Sequence, residues 1–220
     1  MTIPPRFAEG DFSALLRRLP TSCQERVLSH CPHPDAVSSL LGWLLACSEI
    51  CRATGLCGED LTFSTDCNGK PCLAGHPDAH FNISHAGSYV ACAVSDRAVG
   101  IDIEVYRTVR HKIAEHYFAP DEIQYVSGDA GVSRFFEIWT KKESNIKWDG
   151  RGLSKPLPSF SVLEPPIHGA PNYHEVYSDG QAVCHVCTSS IEKPAVRAVS
   201  GTDLPAGLLF NLPIHISQDP

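Results

Sequence analysis

The hydrophobic pattern of the chain changes from helical spacing to strand-like segments twice, and this order constrains the fold more than any other feature. Helical spacing marks residues 35–55, and short strand-like segments follow over 61–103. A second helical region covers 110–147, and strands and proline-rich turns return from residue 159. We therefore predict an α+β fold of two similar halves in a pseudo-twofold arrangement, each a small, mainly antiparallel sheet with packed helices. The predicted halves are residues 1–105 and 106–220.

The segment 99–104 has the pattern of a strand with two carboxylates on one face. A short turn links it to the strand-like segment 89–94, so we expect the two to pair as an antiparallel hairpin. Side chains alternate along a strand, so Asp102 and Glu104 point to the same face and Ile101 to the other. Like charges at this separation repel, and a divalent cation such as Mg²⁺ would remove the repulsion. An exposed strand end, where paired acids are common, is the alternative.

Charge and composition argue against two classes of partner. With 18 Lys and Arg against 25 Asp and Glu, the formal net charge is −7, whereas general nucleic-acid binding needs clustered positive charge. No apolar run approaches the roughly 18 residues of a membrane span, and the first residues do not resemble a secretory signal. We therefore expect a cytoplasmic protein without a nucleic-acid or membrane partner. Its ten cysteines are expected to be packed, reduced thiols, since Cys184 and Cys187 lack the second pair of a structural zinc site.

The helical segment 132–147 places Trp139, Glu143 and Lys147 on one face, because they are four residues apart. A glutamate followed four residues later by a lysine is commonly a surface ion pair worth a few tenths of a kcal/mol. This face continues the apolar face that begins at Phe135, however. We therefore expect Glu143 and Lys147 to lie near the edge of the core.

A third group of polar residues is suited to binding phosphate oxygens. Ser84 and His85 are followed by Gly87, where a turn would let the backbone approach a ligand, and Lys70 precedes them. A hydrogen-bonded turn histidine is one alternative. A hydrolase with a Ser-His pair is another, but the nucleophile-elbow pattern is absent.

Taken in order, these motifs resemble the 4′-phosphopantetheinyl transferases, in particular the surfactin-type branch. The motifs that carry the resemblance are residues 69–71, 81–85, 100–104 and 139–147. The resemblance covers about residues 61–162 with intact spacing and extends more loosely toward both ends. It implies a monomeric enzyme that moves the phosphopantetheine arm of coenzyme A to a serine of an apo acyl or peptidyl carrier protein and releases 3′,5′-ADP. It further implies Mg²⁺ as cofactor, with Mn²⁺ as an alternative, and a role in secondary metabolism.

The resemblance also implies roles for individual residues. Metal ligands on the coenzyme A pyrophosphate would be Asp102, Glu104 and Glu143. Contacts to coenzyme A would come from Lys70, Pro71, Ser84, His85 and Lys147. Glu143 would in addition be the base for the carrier serine hydroxyl, directly or through a water molecule. Lys147 would neutralise charge on the phosphate under attack or on the leaving group.

An acidic carrier protein would dock beside the metal site. The expected contacts are Arg107, Arg110, Lys112, Tyr117 and Phe118. The first three would supply positive charge and the last two an apolar anchor. A solvated loop and helix face is the alternative.

Two regions depart from the family's pattern. Ser144 stands where the family has a small alanine, a change that should be tolerated. Residues 33–42 have almost no fixed positive charge, although the family commonly offers Lys or Arg to the 3′-phosphate there. Either His33, Arg26 or a distant residue replaces these contacts, or coenzyme A binds more weakly.

Two other functional classes stay open at this point. A metal-dependent phosphodiesterase or pyrophosphatase could use the same three carboxylates with a lysine and a histidine. A non-catalytic carrier-protein-binding module would show no transferase activity at all.

Overall fold

The computed structural model describes residues 9–29, 35–109, 111–128 and 131–197. These residues divide into two compact units, one with residues 9–97 and 194–197 and the other with Ala98–Lys193. The division lies before Ala98 rather than after residue 105, because the strand that carries Asp102 pairs within the second unit.

The first unit combines helices with two small antiparallel sheets. Its helices are α1 (Glu9–Leu16), α2 (Thr21–Leu28) and α3 (Asp35–Thr54). Its strands are β1 (Phe63–Thr65), β2 (Pro71–Leu73), β3 (His80–Ala86) and β4 (Tyr89–Ser95). β1 pairs with β2, and β3 pairs with β4. A two-residue turn closes the second hairpin, and Gly87 takes a left-handed conformation there with φ 56°, which confirms the turn predicted at this glycine.

Helix α3 forms the centre of the first unit's core. Trp43 packs edge-on against Phe63 and Phe81, with ring centroids 5.2 and 5.8 Å away. Among the described helices, α3 alone is long and apolar enough to cross a membrane, and 78% of that stretch is buried inside the structure. Core packing therefore accounts for its apolar composition.

The second unit is a three-stranded antiparallel sheet with helices packed against it. Its strands are β5 (Val99–Val105), β6 (Asn172–Ser178) and β7 (Ala182–Thr188), in the order β5-β7-β6. Its helices are α4 (His111–Tyr117), α5 (Pro120–Val126) and α6 (Gly131–Asp149). The architecture confirms the predicted α+β class, with small antiparallel sheets and packed helices.

The predicted hairpin between residues 89–94 and 99–104 is wrong. β4 pairs with β3, and β5 pairs along its whole length with β7, so that Asp102 lies opposite His185. The short turn at Asp96 favoured a local hairpin, but both neighbours of that turn find better partners elsewhere. The fully buried β7 can pair with β5 only through a connection of more than seventy residues, which no local signal reveals.

Candidate active site

The backbones of β5 and α6 come almost into contact at Gly100. A Cβ atom at this position would overlap the carbonyl oxygen of Ser144 and the backbone nitrogen of Trp148. The absence of a side chain therefore lets the helix lie directly on the strand. This close approach places the carboxylate-bearing face of β5 against the last turns of α6.

Lys147, in the last turn of α6, binds β5 through its ammonium group. Its Nζ donates to Oδ1 of Asp102 at 2.7 Å and to the carbonyl oxygen of Ile101 at 3.0 Å. Asp102 is only 6% exposed, so the charge of Lys147 partly offsets the cost of burying this carboxylate. The structure thus brings two of the predicted site residues into direct contact.

Glu143 is linked electrostatically to both acids of β5. Burial raises the pKa of its half-buried carboxyl, Asp102 and Glu104 raise this pKa further, and Lys147 lowers it. The three carboxyl groups are therefore close enough for their charges to interact. Glu143 holds a proton more tightly than an ordinary glutamate does.

Glu104 is bound by Arg107, which was predicted as a partner contact. Nη1 of Arg107 donates to Oε2 of Glu104 at 2.6 Å. The Arg107 guanidinium also lies over the ring of Phe136, 5.1 Å from its centroid. The bond to Glu104 raises the pKa of Arg107 above its ordinary value.

The donor set of the predicted metal site suits Mg²⁺, although the acids are not gathered around an ion. Within the described parts of the chain, no three His, Cys, Asp or Glu side chains stand together as a closed metal site. Asp102 and Glu104 instead contact Lys147 and Arg107. Carboxylate oxygens are the ligands that Mg²⁺ prefers, and a bound cation would relieve the repulsion that raises the pKa of Glu143. The Mg²⁺ site stays a prediction.

Of the residues predicted to contact coenzyme A, Lys147 lies in the second unit and the other four lie in the first. Ser84 and His85 are neighbours on β3, and Ser84 is only 6% exposed. Lys70 lies in the turn before β2, which begins at Pro71. Burial lowers the pKa of His80, and the charge of Lys70 lowers it further, so Lys70 lies near the start of β3. Their contacts with coenzyme A stay predictions.

The prediction that Phe118 anchors a carrier protein is wrong. Its side chain is 2% exposed and packs against Phe135 with ring centroids 5.0 Å apart. Phe118 directly follows α4, and its aromatic side chain faces the core of the unit instead of solvent. A buried ring of this kind stabilises the fold and cannot contact a partner.

The other predicted partner contacts differ in what the structure shows. Tyr117 is 39% exposed and packs edge-on against Trp139, with ring centroids 5.8 Å apart. Lys112 lies on the exposed side of α4. Arg110 lies outside the described residues.

The two departures from the family's pattern are only partly covered by the structure. Ser144 is fully buried, and its Oγ donates to the carbonyl oxygen of Lys141 at 2.8 Å, so α6 accommodates the hydroxyl as predicted. Arg26 lies over the ring of Trp43, 5.9 Å from its centroid. His33 lies outside the described residues.

Sequence reasoning missed a buried ion pair one residue before Glu143. Nζ of Lys142 lies 2.7 Å from Oε2 of Glu122, and both side chains are 0% exposed. The same Nζ donates to the carbonyl oxygens of Leu157 and Phe160 at 2.9 and 2.7 Å. The pair therefore ties α6 to α5 and to the segment that follows α6. The sequence carried one signal of this pair, because Lys142 lies at the spacing of the buried residues of α6. Its partner could not be inferred, since Glu122 lies twenty residues away.

A second missed contact joins α6 to β7. Oγ1 of Thr140 and Nδ1 of His185 are hydrogen-bonded at 2.7 Å. His185 is 2% exposed, and burial lowers its pKa to about 3, with smaller contributions from nearby positive groups including Lys141. The imidazole is therefore neutral near pH 7 and acts as a hydrogen-bonding group between helix and sheet.

We expect His185 to make the folded protein sensitive to acid. Because its pKa is about 3 in the folded chain against an ordinary value of 6.5, only the unfolded chain takes up its proton as the pH falls from 7.5 to 5. The free energy of unfolding should therefore fall by about 2 kcal/mol over this range through this residue. Urea unfolding at several pH values measures this change in the free energy of unfolding. His185→Gln should remove this part of the pH dependence, and His116→Gln, on the exposed side of α4, should keep it. Equal pH slopes in all three proteins would contradict the expectation.

The two units match two family models. Residues 98–203 match the model of the 4′-phosphopantetheinyl transferase superfamily, and residues 6–97 match the N-terminal model of 4′-phosphopantetheinyl transferases. The two models meet between Arg97 and Ala98, where the structure also divides. Fold, site and sequence thus define the class of phosphopantetheinyl transferases.

Individual relatives are similar over most of the chain. The 4′-phosphopantetheinyl transferase Sfp of Bacillus subtilis strain 168 is 38% identical over 75% of this chain and 74% of its own length. The transferase psf-1 of Bacillus pumilus is 38% identical over 73% of each chain. The transferase gsp of Aneurinibacillus migulanus is 36% identical over 73% of this chain and 68% of its own. The chain therefore belongs to the 4′-phosphopantetheinyl transferase family, in its surfactin-type branch, and is an enzyme of that class.

Proposed function

We propose that this transferase moves the 4′-phosphopantetheine arm of coenzyme A to a serine of an apo acyl or peptidyl carrier protein and releases 3′,5′-ADP. The observation that carries the proposal is the meeting of β5 and α6, where Asp102, Glu104 and Glu143 interact electrostatically beside Lys147. In a member of this family, that arrangement is suited to phosphoryl transfer, where positioning and charge neutralisation supply most of the rate.

In the proposed reaction, the serine oxygen forms a bond to the phosphorus that carries the pantetheine arm. The bond from this phosphorus to the bridging oxygen breaks, and 3′,5′-ADP leaves with that electron pair. Glu143 accepts the proton of the serine hydroxyl, directly or through a water molecule. Its raised pKa suits a general base that works near neutral pH.

Positive charge beside Glu143 would stabilise the charge that develops on the phosphates. Lys147 is held at β5 by Asp102 and the carbonyl oxygen of Ile101, so its position is fixed before the substrate arrives. Mg²⁺, or Mn²⁺ as an alternative, held by Asp102, Glu104 and Glu143, would neutralise the pyrophosphate when bound. Ser84 and His85 would bind phosphate oxygens of coenzyme A. Lys70 and Pro71 would line its adenine and 3′-phosphate end.

The carrier protein would dock on the side of α4. Lys112 and Arg107 offer positive charge, Arg110 would add to it, and Tyr117 supplies an exposed aromatic ring. The apolar contact that Phe118 cannot make can come from a groove of about 230 Å³ that borders α4, the end of α5 and the start of α6. Its lining includes Val109, Ala114, Val126 and Val132. A groove of this kind accepts one apolar side chain of a partner.

We further propose a monomeric enzyme of the cytoplasm that serves secondary metabolism, without nucleic-acid or membrane partners. The nine described cysteines are free thiols, and free thiols are typical of a reducing compartment. The prediction that all the cysteines are packed is wrong for Cys57 and Cys67, which are exposed. The net charge of −7 disfavours general nucleic-acid binding.

Incubation with coenzyme A, Mg²⁺ and an apo carrier protein tests the proposed function. Intact-mass spectrometry should show the carrier gaining one phosphopantetheine unit. Glu143→Gln should slow this gain about a hundredfold or more, because the base is lost. Glu192→Gln, which removes the same charge at an exposed position of the second unit, should leave the rate unchanged.

Three other outcomes would replace the proposal. Coenzyme A cleavage without any change in carrier mass would indicate a phosphodiesterase or pyrophosphatase. Carrier binding with neither cleavage nor mass gain would indicate a non-catalytic module. Equal rates in wild type and Glu143→Gln would remove Glu143 from the reaction.

A further inference from the structure

The two carboxylates on the α6-facing side of β5 are each bound by a cationic side chain. Asp102 contacts Lys147, with 2.7 Å between Oδ1 and Nζ, and Glu104 contacts Arg107, with 2.6 Å between Oε2 and Nη1. Each cation lowers the repulsion between acids that lie close together. A divalent cation bound to the same two carboxylates would neutralise them, so neither ion pair would then be needed to balance their charge.

The two cations differ in how firmly they are held. The side chain of Lys147 is 27% exposed and donates to both a carboxylate and a carbonyl oxygen of β5. The side chain of Arg107 is 60% exposed, and its second contact, to the carbonyl oxygen of Val105, is 3.3 Å long. Exposed ion pairs contribute little to stability, so Arg107 can leave its carboxylate at small cost, whereas Lys147 cannot.

Arg107 also has a further contact that does not depend on Glu104. Its guanidinium lies over the ring of Phe136, and a cation–π contact of this kind does not require the carboxylate. The guanidinium can therefore move away from the Glu104 carboxylate and still keep its contact with the ring of Phe136. Glu104, 18% exposed, would then turn both oxygens to another cation.

We propose that Arg107 is an internal counter-ion that neutralises Glu104 in the metal-free enzyme and is displaced when a divalent cation binds. Arg107 thereby sets the metal affinity of the site, because binding must break its ion pair. The inference rests on the proposed function, since it takes Glu104 as a metal ligand.

Metal affinity, measured without any carrier protein, tests this inference. Mn²⁺ is titrated into the full-length protein in saturating coenzyme A, and the electron paramagnetic resonance signal of free Mn²⁺ gives the Kd. Arg107→Gln should bind Mn²⁺ about threefold to tenfold more tightly, because the competing ion pair and its repulsion of the metal are both removed. Arg151→Gln is the matched control, since Arg151 is 61% exposed and also pairs with an acid of its own unit, Asp149. Its Kd should stay within about twofold of the wild type.

A double variant shows whether the effect passes through Glu104. In a Glu104→Gln background, Arg107→Gln should change the Kd by less than it does in the wild-type protein, because only the repulsion between Arg107 and the metal is then removed. Unchanged or weaker Mn²⁺ binding by Arg107→Gln alone would overturn the inference, and so would the absence of Mn²⁺ binding in all forms. Carrier modification is read separately by mass. A protein that binds Mn²⁺ as expected but modifies no carrier would contradict the proposed function and leave the counter-ion role standing.

Discussion

Replacing Lys142 with methionine is expected to lower the free energy of unfolding by about 3–5 kcal/mol, because it leaves a buried carboxylate without its counter-ion. Glu122 and Lys142 are both fully buried. The carboxylate of Glu122 keeps two backbone donors, the N–H groups of Ala119 and Val162, at 2.7 and 2.8 Å. Neither donor carries a full positive charge. Burial lowers the pKa of Lys142, while Glu122 acts in the opposite direction.

The neighbouring lysine provides a matched control for this prediction. Lys141 pairs with Glu137 at 2.6 Å, but their side chains are 16% and 28% exposed. Lys141→Met should therefore cost at most about 1 kcal/mol. Urea unfolding near pH 7 measures both variants. Changing Glu122 to leucine in the Lys142→Met protein should recover part of the loss, because no unpaired charge then stays buried. Equal losses of unfolding free energy for the two lysine variants would show that the buried pair contributes no more to stability than the partly exposed pair.

Features that depend on local spacing could be predicted from the sequence. The helical region predicted over residues 110–147 contains α4, α5 and all but the last two residues of α6 in the structure. α5 begins at Pro120, and a proline in the first turn with acids after it signals a helix start. The alternation of 99–104 gave the shared face of Asp102 and Glu104. The four-residue spacing in α6 placed Glu143 and Lys147 on the side that meets this strand.

Features that depend on distant partners could not be predicted. The pairing of β5 with β7 joins segments separated by more than seventy residues, and no local pattern reports which buried strands become neighbours. Phe118 directly follows α4 and stands next to an exposed tyrosine, so only its packing against Phe135 shows that it is buried. The Lys142–Glu122 pair was hidden for the same reason, since the spacing of α6 places Lys142 among buried residues but does not identify its partner on another helix.

Gly100 shows how one distant contact determines the candidate site, and Gly100→Ala is expected to lower the free energy of unfolding by about 3 kcal/mol or more. The added Cβ would overlap backbone atoms of Ser144 and Trp148, and a helix backbone cannot rotate away as a side chain can. Strand and helix must separate, and Asp102 then moves away from Glu143 and Lys147. Because misplacement by about 1 Å can cost a hundredfold in rate, we also expect carrier modification to fall about a hundredfold, beyond the loss of folded protein.

Two other glycines separate this effect from the general cost of replacing a glycine. A Cβ at Gly42 would meet Cγ2 of Ile83 at 2.6 Å, which is a side-chain methyl group rather than backbone, so Gly42→Ala should cost less than Gly100→Ala. A Cβ at Gly128 would meet only the tip of Arg134 at 4.0 Å, so Gly128→Ala should be nearly neutral. Urea unfolding ranks the three variants, and the carrier assay is normalised to folded protein measured by circular dichroism. If Gly100→Ala is no worse than Gly42→Ala and keeps its activity, the close approach of β5 and α6 does not position the site. If instead it alone loses activity per folded molecule, the backbone contact at Gly100 is what holds the strand acids and the helix acid at working distance.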